Sequence, residues 1–249
     1  MNIELFNKIC VIWAIIGIAT FILLQFVTAP YGRHLKKGWG PEISNKLGWI
    51  LMELPSFAII LYFYLNYNQS FYAQFLSLLW LFHYFNRTFI FPFRIRTKYK
   101  KMPLTIVISA IFFNVINAGL NGYFLAHFEN YSTLAFQSWM FYLGLTFFVF
   151  GFISNQISDH ILINLRTPNE VGYKIPHGYL FKYISCPNHL SEIVQWTGFA
   201  IMAWNLPATC FLIWTIANLL PRALKHHSWY RENFNNYPKN RKAIIPKIW

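Results

Sequence analysis

Long apolar stretches constrain this chain more than any other feature of its sequence. Seven of them follow one another, most close to the roughly 20 residues that an α-helix needs to cross a bilayer. They cover residues 9–28, 48–65, 72–92, 103–126, 135–160, 190–204 and 206–226. Hydrophobic residues make up 56% of the chain and charged residues only 12%, against a usual soluble share of about 25%. We therefore predict one all-α domain, residues 1–249, built as a polytopic membrane bundle of seven transmembrane helices.

The basic residues lie almost entirely in alternate connections between these stretches. Four lie in 28–48, six in 86–103, three in 164–184 and seven in 222–249, which leaves only Lys8 of the 21 elsewhere. The opposite connections, 66–70 and 127–132, contain no Lys or Arg. Because Lys and Arg concentrate in cytoplasmic loops, the pattern predicts an outside or lumenal N-terminus and a cytoplasmic C-terminus. The same asymmetry accounts for the net charge of +13, so we expect no nucleic-acid partner.

Three acidic residues, Glu53, Asp159 and Glu192, fall within or at the ends of the apolar stretches. A carboxylate in mid-bilayer costs about 2.5–3.5 kcal/mol or more, so it normally faces a partner or a cavity. Glu53 and Tyr84 lie on neighbouring antiparallel spans. One interpretation makes Glu53 and Arg87 a structural ion pair. The other makes Glu53 and Tyr84 an acid pair that polarises a carbonyl group in an apolar pocket.

Polar residues also follow helical spacing around the loop 167–178. Asn155, Asp159 and Arg166 share one face before this loop, and Asn188, Glu192 and Trp196 share another after it. A third set, Arg222, His226 and Tyr230, suits either an anionic lipid surface or an anionic cofactor. The chain has no glycine-rich nucleotide-binding motif and no evident metal constellation. Any nucleotide is therefore expected to be held by side chains of the bundle.

Several segments resemble the steroid 5α-reductase family. They are Glu53-Leu-Pro-Ser-Phe57, His83-Tyr-Phe-Asn-Arg-Thr-Phe89, Gly172-Tyr-Lys-Ile-Pro-His-Gly-Tyr-Leu-Phe181, Glu192-Ile-Val-Gln-Trp-Thr-Gly198 and Tyr237-Pro-Lys-Asn-Arg-Lys-Ala-Ile-Ile-Pro246. The resemblance implies a seven-helix membrane reductase that uses NADPH, entering from the cytoplasmic side, to reduce the Δ4 double bond of 3-oxo-steroids.

The resemblance also implies roles for individual residues. Glu53 and Tyr84 correspond to the residues that grip the 3-keto oxygen of the substrate, and we expect Trp196 beside them. The cofactor contacts correspond to Asn155, Asp159, Arg166, Asn188, Glu192, His226 and Tyr230, with Lys100 before the fourth span; we expect Arg87 and Lys174 among them as well. Met52, Asn86 and Lys174 depart from the family, which typically has Gln, His and Arg at these positions.

Three other functions fit the same residues. They are a related membrane enoyl or sterol reductase, an isoprenylcysteine-type methyltransferase that uses S-adenosylmethionine, and a lipid-binding membrane protein without enzyme activity. The expected partners are membrane lipids and a lipophilic enone or steroid that enters from the bilayer, and we expect a monomer. The short outside loops favour a bacterial inner membrane over the endoplasmic reticulum of a eukaryote.

Overall fold

The computed structural model describes residues 1–28, 32–34, 38–96, 100–167, 170, 172–246 and 248. The α-helices in this part of the chain are α1 Ile3–Phe26, α2 Asn45–Asn66, α3 Phe71–Phe85, α4 Phe91–Arg94, α5 Leu104–His127, α6 Trp139–Asn164, α7 Pro187–Ala203 and α8 Leu206–Asn233. Some predicted features lie outside the described residues. They are the end of the first span at Ala29-Pro30, the loop positions Pro168, Asn169 and Val171, and the basic residues Lys36, Lys37, Lys98 and Lys247.

Capping side chains explain where several helices begin relative to the predicted spans. Helix α1 begins six residues earlier than expected, because the Asn2 side chain accepts a hydrogen bond from the Leu5 N–H at 2.9 Å. Helix α6 begins later, at Trp139, since residues 133–137 form a 3₁₀ turn and Ser138 caps the helix. Helix α8 begins at Leu206, within the turn predicted between the last two spans, and continues to Asn233.

The third predicted span is interrupted by a π-helical segment, Asn86–Ile90, between α3 and α4. Here the Phe91 N–H bonds to the carbonyl of Asn86, five residues back. Pro92 follows, and its missing N–H removes one donor from the regular α-helical ladder. The wider π turn contains Arg87, and such turns often occur at functional sites.

A small antiparallel sheet accompanies the helices. Strand β1, Glu42–Ser44, pairs with β2, Lys101–Pro103, and Ile43 lies opposite Met102. The prediction of an all-α chain is right for the main architecture but missed this sheet. Strands of three residues are too short to show the alternation of apolar and polar side chains that marks a strand.

Four helices in the described residues are long and apolar enough to cross a membrane, namely α1, α2, α5 and α6. They coincide with the first, second, fourth and fifth predicted spans. Helices also occupy the other three spans. However, α3 has 15 residues before the π segment, α7 has 17, and α8 ends in a charged turn. The helices therefore support a membrane protein, whereas the number of seven spans stays a prediction.

The basic connections meet at one end of the bundle. The β1–β2 sheet joins 28–48 to 86–103, and Arg96 Nη1 donates to the Arg166 carbonyl in 164–184. A β-bridge between Ile184 and Lys242 joins 164–184 to the C-terminal connection 222–249. At the opposite end, the N-terminal amine contacts Tyr123, and loop 127–132 bonds to loop 66–70. The basic connections therefore gather at one end and the loops without Lys or Arg at the other, and the placement of these ends on two sides of a membrane stays a prediction.

Aromatic rings fill the centre of the bundle and join α3, α7 and α8. The Trp80 ring packs against Tyr84, Trp196 and Phe211, with ring centroids 5.4, 5.0 and 4.6 Å away. Its buried indole N–H donates to the carbonyl of Ser56 on α2 at 3.2 Å. Trp80 thus fixes α2 against α3 and places Tyr84 one turn further along.

Glycines allow α6 and α7 to pack closely. A Cβ atom on Gly151 of α6 would overlap main-chain atoms of Ser191 and Gln195 on α7. Main-chain atoms cannot move aside as a flexible side chain can. The contact therefore requires a residue without a side chain at this position.

Gly151→Ala should destabilise the protein by about 1–3 kcal/mol, because the added methyl group forces α6 and α7 apart. Gly119→Ala on α5 is the matched control, since a Cβ atom there meets nothing within 4 Å. Thermal unfolding of both variants in detergent measures the difference. Equal unfolding temperatures for the two would contradict the close contact.

Candidate functional site

Arg87, on the π segment, lies between two acidic residues of different helices. Its guanidinium is 3.7 Å from Glu53 of α2 and 3.8 Å from Asp159 of α6. The three side chains are only 13%, 13% and 8% exposed. The guanidinium also lies over the rings of Trp49 and Phe91, at 4.9 and 4.7 Å. The Glu53–Arg87 ion pair predicted from the sequence is therefore present, and Arg87 has a second acidic partner.

Glu192 of α7 is a third carboxyl group that acts electrostatically on Glu53, Arg87 and Asp159. The Arg87 guanidinium thus stands among three acidic side chains, and Arg94 also acts on Asp159. The two ion-pair distances exceed the 2.7–3.2 Å of an ordinary hydrogen bond. The carboxylate oxygens therefore retain capacity to accept hydrogen bonds from a ligand. We call the three acidic residues Glu53, Asp159 and Glu192 the acidic cluster.

Tyr84 lies beside the acidic cluster and is 4% exposed. Its hydroxyl lies near Ser56 and is close enough to Glu53 for the two groups to interact electrostatically. Trp196 of α7 is 6.0 Å from the Tyr84 ring and is itself enclosed by other rings, with 1% exposure. The structure thus brings the two predicted catalytic residues together and places Trp196 behind Tyr84.

His83 connects the Tyr84 region to α7. The His83 ring lies 5.0 Å from the Tyr84 ring and 4.8 Å from the Trp196 ring. Its Nδ1 is 3.2 Å from the side-chain oxygen of Gln195, and both residues are buried. This contact ties α3 to α7 next to Tyr84, and sequence reasoning missed the role of Gln195.

Asn114 of α5 supports the helix that carries Glu53. It donates to the carbonyl of Met52 at 2.6 Å and accepts from the Ser56 hydroxyl at 3.0 Å. Met52 itself packs in an apolar cluster with Met102 and Val107. Sequence reasoning also missed Asn114. Its signal was an amide in the middle of an apolar stretch, where a polar group needs a partner.

The two polar faces predicted on either side of the loop 167–178 meet in the structure. Helix α6 packs along α7, and the buried Asn155 amide donates to the carbonyl of Asn188 at 3.0 Å. One turn further along each helix, Asp159 and Glu192 join the acidic cluster. Four of the predicted cofactor contacts therefore lie together along the polar faces of α6 and α7.

Arg166 lies apart from these four residues, at the basic end of the bundle. Its guanidinium donates to the Gly172 carbonyl at 2.8 Å and lies 5.5 Å from the Tyr173 ring. Lys100 lies over the same ring, also at 5.5 Å, although Lys100 and Arg166 are 66 residues apart in the chain. Tyr173 in turn packs on Trp229 of α8. Two cations thus share one aromatic ring.

Lys174 is paired with an acidic residue of its own loop. Its ammonium group is 2.6 Å from the Glu170 carboxylate. The contacts with Lys174 and with the Thr167 N–H hold the pKa of Glu170 below its usual range. Both side chains are exposed, so this pair contributes little to stability and an anionic ligand could displace Glu170.

His226 and Tyr230 of α8 face different neighbours. His226 is 3.1 Å from His34 and its ring also packs near His189 of α7. Tyr230 is buried and stacks on Tyr237, with parallel rings 5.3 Å apart. His226 therefore joins the first basic connection to α7 and α8, whereas Tyr230 supports the tail.

A polar contact missed by sequence reasoning connects α4 to α6. The Arg94 guanidinium donates to Gln156 at 2.6 Å, and the Gln156 amide donates to Asn86 at 3.0 Å. Asn86 is one of the departures from the family pattern noted in the sequence. The chain Arg94–Gln156–Asn86 runs beside Arg87 and anchors the π segment to α6.

Arg87→Leu should destabilise the protein by about 3–5 kcal/mol, because it leaves Glu53 and Asp159 in apolar surroundings without their counter-charge. Arg96→Leu is the matched control, since Arg96 is exposed and its loss should cost at most about 1 kcal/mol. Chemical or thermal unfolding in detergent reports both values. A cost for Arg87→Leu no larger than for the control would contradict a buried ion-pair role.

Stability should also fall as the pH is lowered below about 6.5, the ordinary pKa of histidine. Burial, together with Arg231, Arg241 and Lys242, lowers the pKa of His227, whose Nδ1 is 2.6 Å from Ser185 Oγ. The unfolded chain then takes up a proton at a higher pH than the folded chain, so protons favour unfolding. Unfolding temperatures between pH 8 and pH 5 test this. His227→Gln should flatten the dependence, and an unchanged slope would argue against His227.

The chain matches the family model described as 3-oxo-5-alpha-steroid 4-dehydrogenase over residues 100–249. It is 40% identical to a steroid 5-alpha-reductase DET2 of Gossypium hirsutum, over 94% of each chain. The similar protein of Solanum lycopersicum is 40% identical over 99% of this chain and 98% of its own. A 3-oxo-5-alpha-steroid 4-dehydrogenase 1 of Rattus norvegicus is 36% identical over 90% of this chain and 88% of its own.

Proposed function

The chain belongs to the 3-oxo-5-alpha-steroid 4-dehydrogenase family, and from this membership we propose that it reduces the Δ4 double bond of a 3-oxo-steroid with NADPH. Its relatives are oxidoreductases of the steroid 5-alpha-reductase type. The observation that carries the more specific proposal is the placement of Tyr84 against Glu53 within an apolar bundle. Such surroundings strengthen a hydrogen bond to a carbonyl oxygen.

Tyr84 and Glu53 act on the carbonyl group in this proposal. The Tyr84 hydroxyl donates to the 3-keto oxygen, and Glu53 holds it in place. As C5 is reduced, negative charge develops on that oxygen and is stabilised as an enolate, before C4 takes up a proton. Arg87 fixes the Glu53 carboxylate, and Trp80 and Trp196 form the wall behind Tyr84.

The polar faces of α6 and α7 and the basic end carry groups that suit NADPH. The two faces supply amide and carboxylate groups from Asn155, Asp159, Asn188 and Glu192, which suit the hydroxyl and amide groups of a dinucleotide. At the basic end, Lys100 and Arg166 lie over one ring and Lys174 is paired only through an exposed contact. These cations would offset the phosphate charges. NADPH, when bound, supplies the hydride.

Other predicted contacts remain part of the proposal in modified form. His226 lies at the basic end, where it would approach the cofactor next to His34. Tyr230 stacks on Tyr237 and would support the cofactor site from behind rather than contact the cofactor. Arg87 is held by two acids, so we now place it as the counter-ion of the acidic cluster rather than as a phosphate contact.

The apolar outer faces of the helices suit a substrate that enters from the bilayer. We propose the endoplasmic reticulum as the host membrane, because the similar proteins reported above come from plants and a mammal. The bacterial inner membrane favoured by the short loops receives no support from these relatives. We retain the prediction of a monomer.

Tyr84→Phe and Glu53→Gln should each lower the turnover of testosterone or progesterone by a factor of roughly 10²–10³, the usual effect of losing a donor to an oxyanion. NADPH binding should change little. Tyr72→Phe is the matched control, because Tyr72 is a buried tyrosine of the same helix whose hydroxyl donates to Met202 far from the acidic cluster. NADPH consumption by purified protein, with the product identified by mass, gives the rates.

The same activity assay, together with a binding assay for S-adenosylmethionine and NADPH, separates the alternatives. Near-normal turnover in both Tyr84→Phe and Glu53→Gln would remove these residues from the chemistry. NADPH consumption with other enones but not with 3-oxo-Δ4-steroids would indicate a related enoyl or sterol reductase. Binding of S-adenosylmethionine without NADPH would indicate a methyltransferase, and no turnover of any enone would indicate a lipid-binding protein.

A further inference from the structure

Helix α1 buries one narrow stripe, made of Phe6, Cys10, Trp13 and Gly17. On α8, Trp214 stacks on Trp13 with ring centroids 4.5 Å apart and donates its indole N–H to the Trp13 carbonyl at 2.9 Å. The remaining apolar side chains of α1 are largely exposed. The position of α1 on the bundle therefore depends strongly on this seam with α8.

Two cysteines face each other in the middle of the seam. The Cys210 thiol donates to the main-chain carbonyl of Cys10 at 3.2 Å. Both side chains are buried and both are reduced. Disulfides join residues whose Cα atoms are roughly 4.4–6.8 Å apart, so their partners must be direct neighbours. The Cys210 sulfur reaches the main chain of the opposite cysteine, which makes these two residues direct neighbours across the seam.

The pair lies near the end of the bundle that carries the N-terminus. Cys10 follows the start of α1 by seven residues and Cys210 follows the start of α8 by four, about 10 and 6 Å along the helices. The loop charges predict that this end faces the outside or the lumen, where disulfides persist. Cys186 lies at the basic end, beside the carbonyl of Ala223. Its surroundings are predicted to be cytoplasmic and reducing.

We propose that Cys10 and Cys210 form a disulfide that fixes α1 on α8. A small disulfide serves as the oxidant. One protein thiol attacks it and releases one small thiol, and the second protein thiol then displaces the other. The protein loses two S–H bonds and gains one S–S bond, while the small disulfide is reduced to two thiols. Because both thiols are buried, the reaction waits for a local opening of the seam.

The test uses the full-length protein and the membrane-soluble reagent dithiodipyridine. After reaction, the protein is unfolded, alkylated, digested and examined by mass spectrometry. We expect a peptide linking Cys10 to Cys210, two fewer alkylated thiols and a higher unfolding temperature, all reversed by a reductant. Cys186→Ser should behave like the wild type, whereas Cys10→Ser and Cys210→Ser should show neither the link nor the rise.

A shifted cysteine tests the geometry. Ile9→Cys in the Cys10→Ser background moves the thiol by one residue, to an exposed position of α1. It should form mixed disulfides with the reagent but no link to Cys210. Efficient cross-linking of this variant would overturn the proposal. So would separate mixed disulfides on Cys10 and Cys210 in the wild type after complete reaction, or the recovery of both as free thiols.

Discussion

The ion pairs of Arg87 hold together parts of the chain that lie far apart in the sequence. Glu53 belongs to α2 and Asp159 to α6, and both acids turn toward a guanidinium on the π segment. In apolar surroundings none of these charges is stable alone, so each requires the others. The substrate side and the cofactor side of the proposed site therefore share one counter-ion. The regular packing of aromatic rings around Trp80 holds Tyr84 at the edge of this arrangement.

The sequence predicted the helices well because their cause is local. An apolar stretch of about 20 residues and a charge bias between loops can both be read directly from the order of the residues. Glu53 was predicted for a similar reason, since a carboxyl group in an apolar stretch stands out, whereas Tyr84 was predicted from its place on the neighbouring span and from the family resemblance. Spacing also predicted the polar faces of α6 and α7, and the structure adds that they meet, through the contact between Asn155 and Asn188.

Other features depend on how helices meet in space. The second partner of Arg87 could not be read from the sequence, because Asp159 is 72 residues away and spacing sets no distance between the two. The π segment has no sequence marker except Pro92. Gln195 and Asn114 were overlooked because an amide carries no charge, although burial makes its hydrogen bonds as necessary as those of an acid.

The four basic connections close into a ring at one end of the bundle. The β1–β2 sheet, the Arg96–Arg166 contact, the Ile184–Lys242 bridge and the His34–His226 contact join each segment to the next. A ring of like charges repels itself, and dissolved salt reduces this cost. A polyanion that binds the ring reduces it as well, so occupancy and the stability of this end are thermodynamically linked. At low ionic strength, such a ligand is effectively part of the fold.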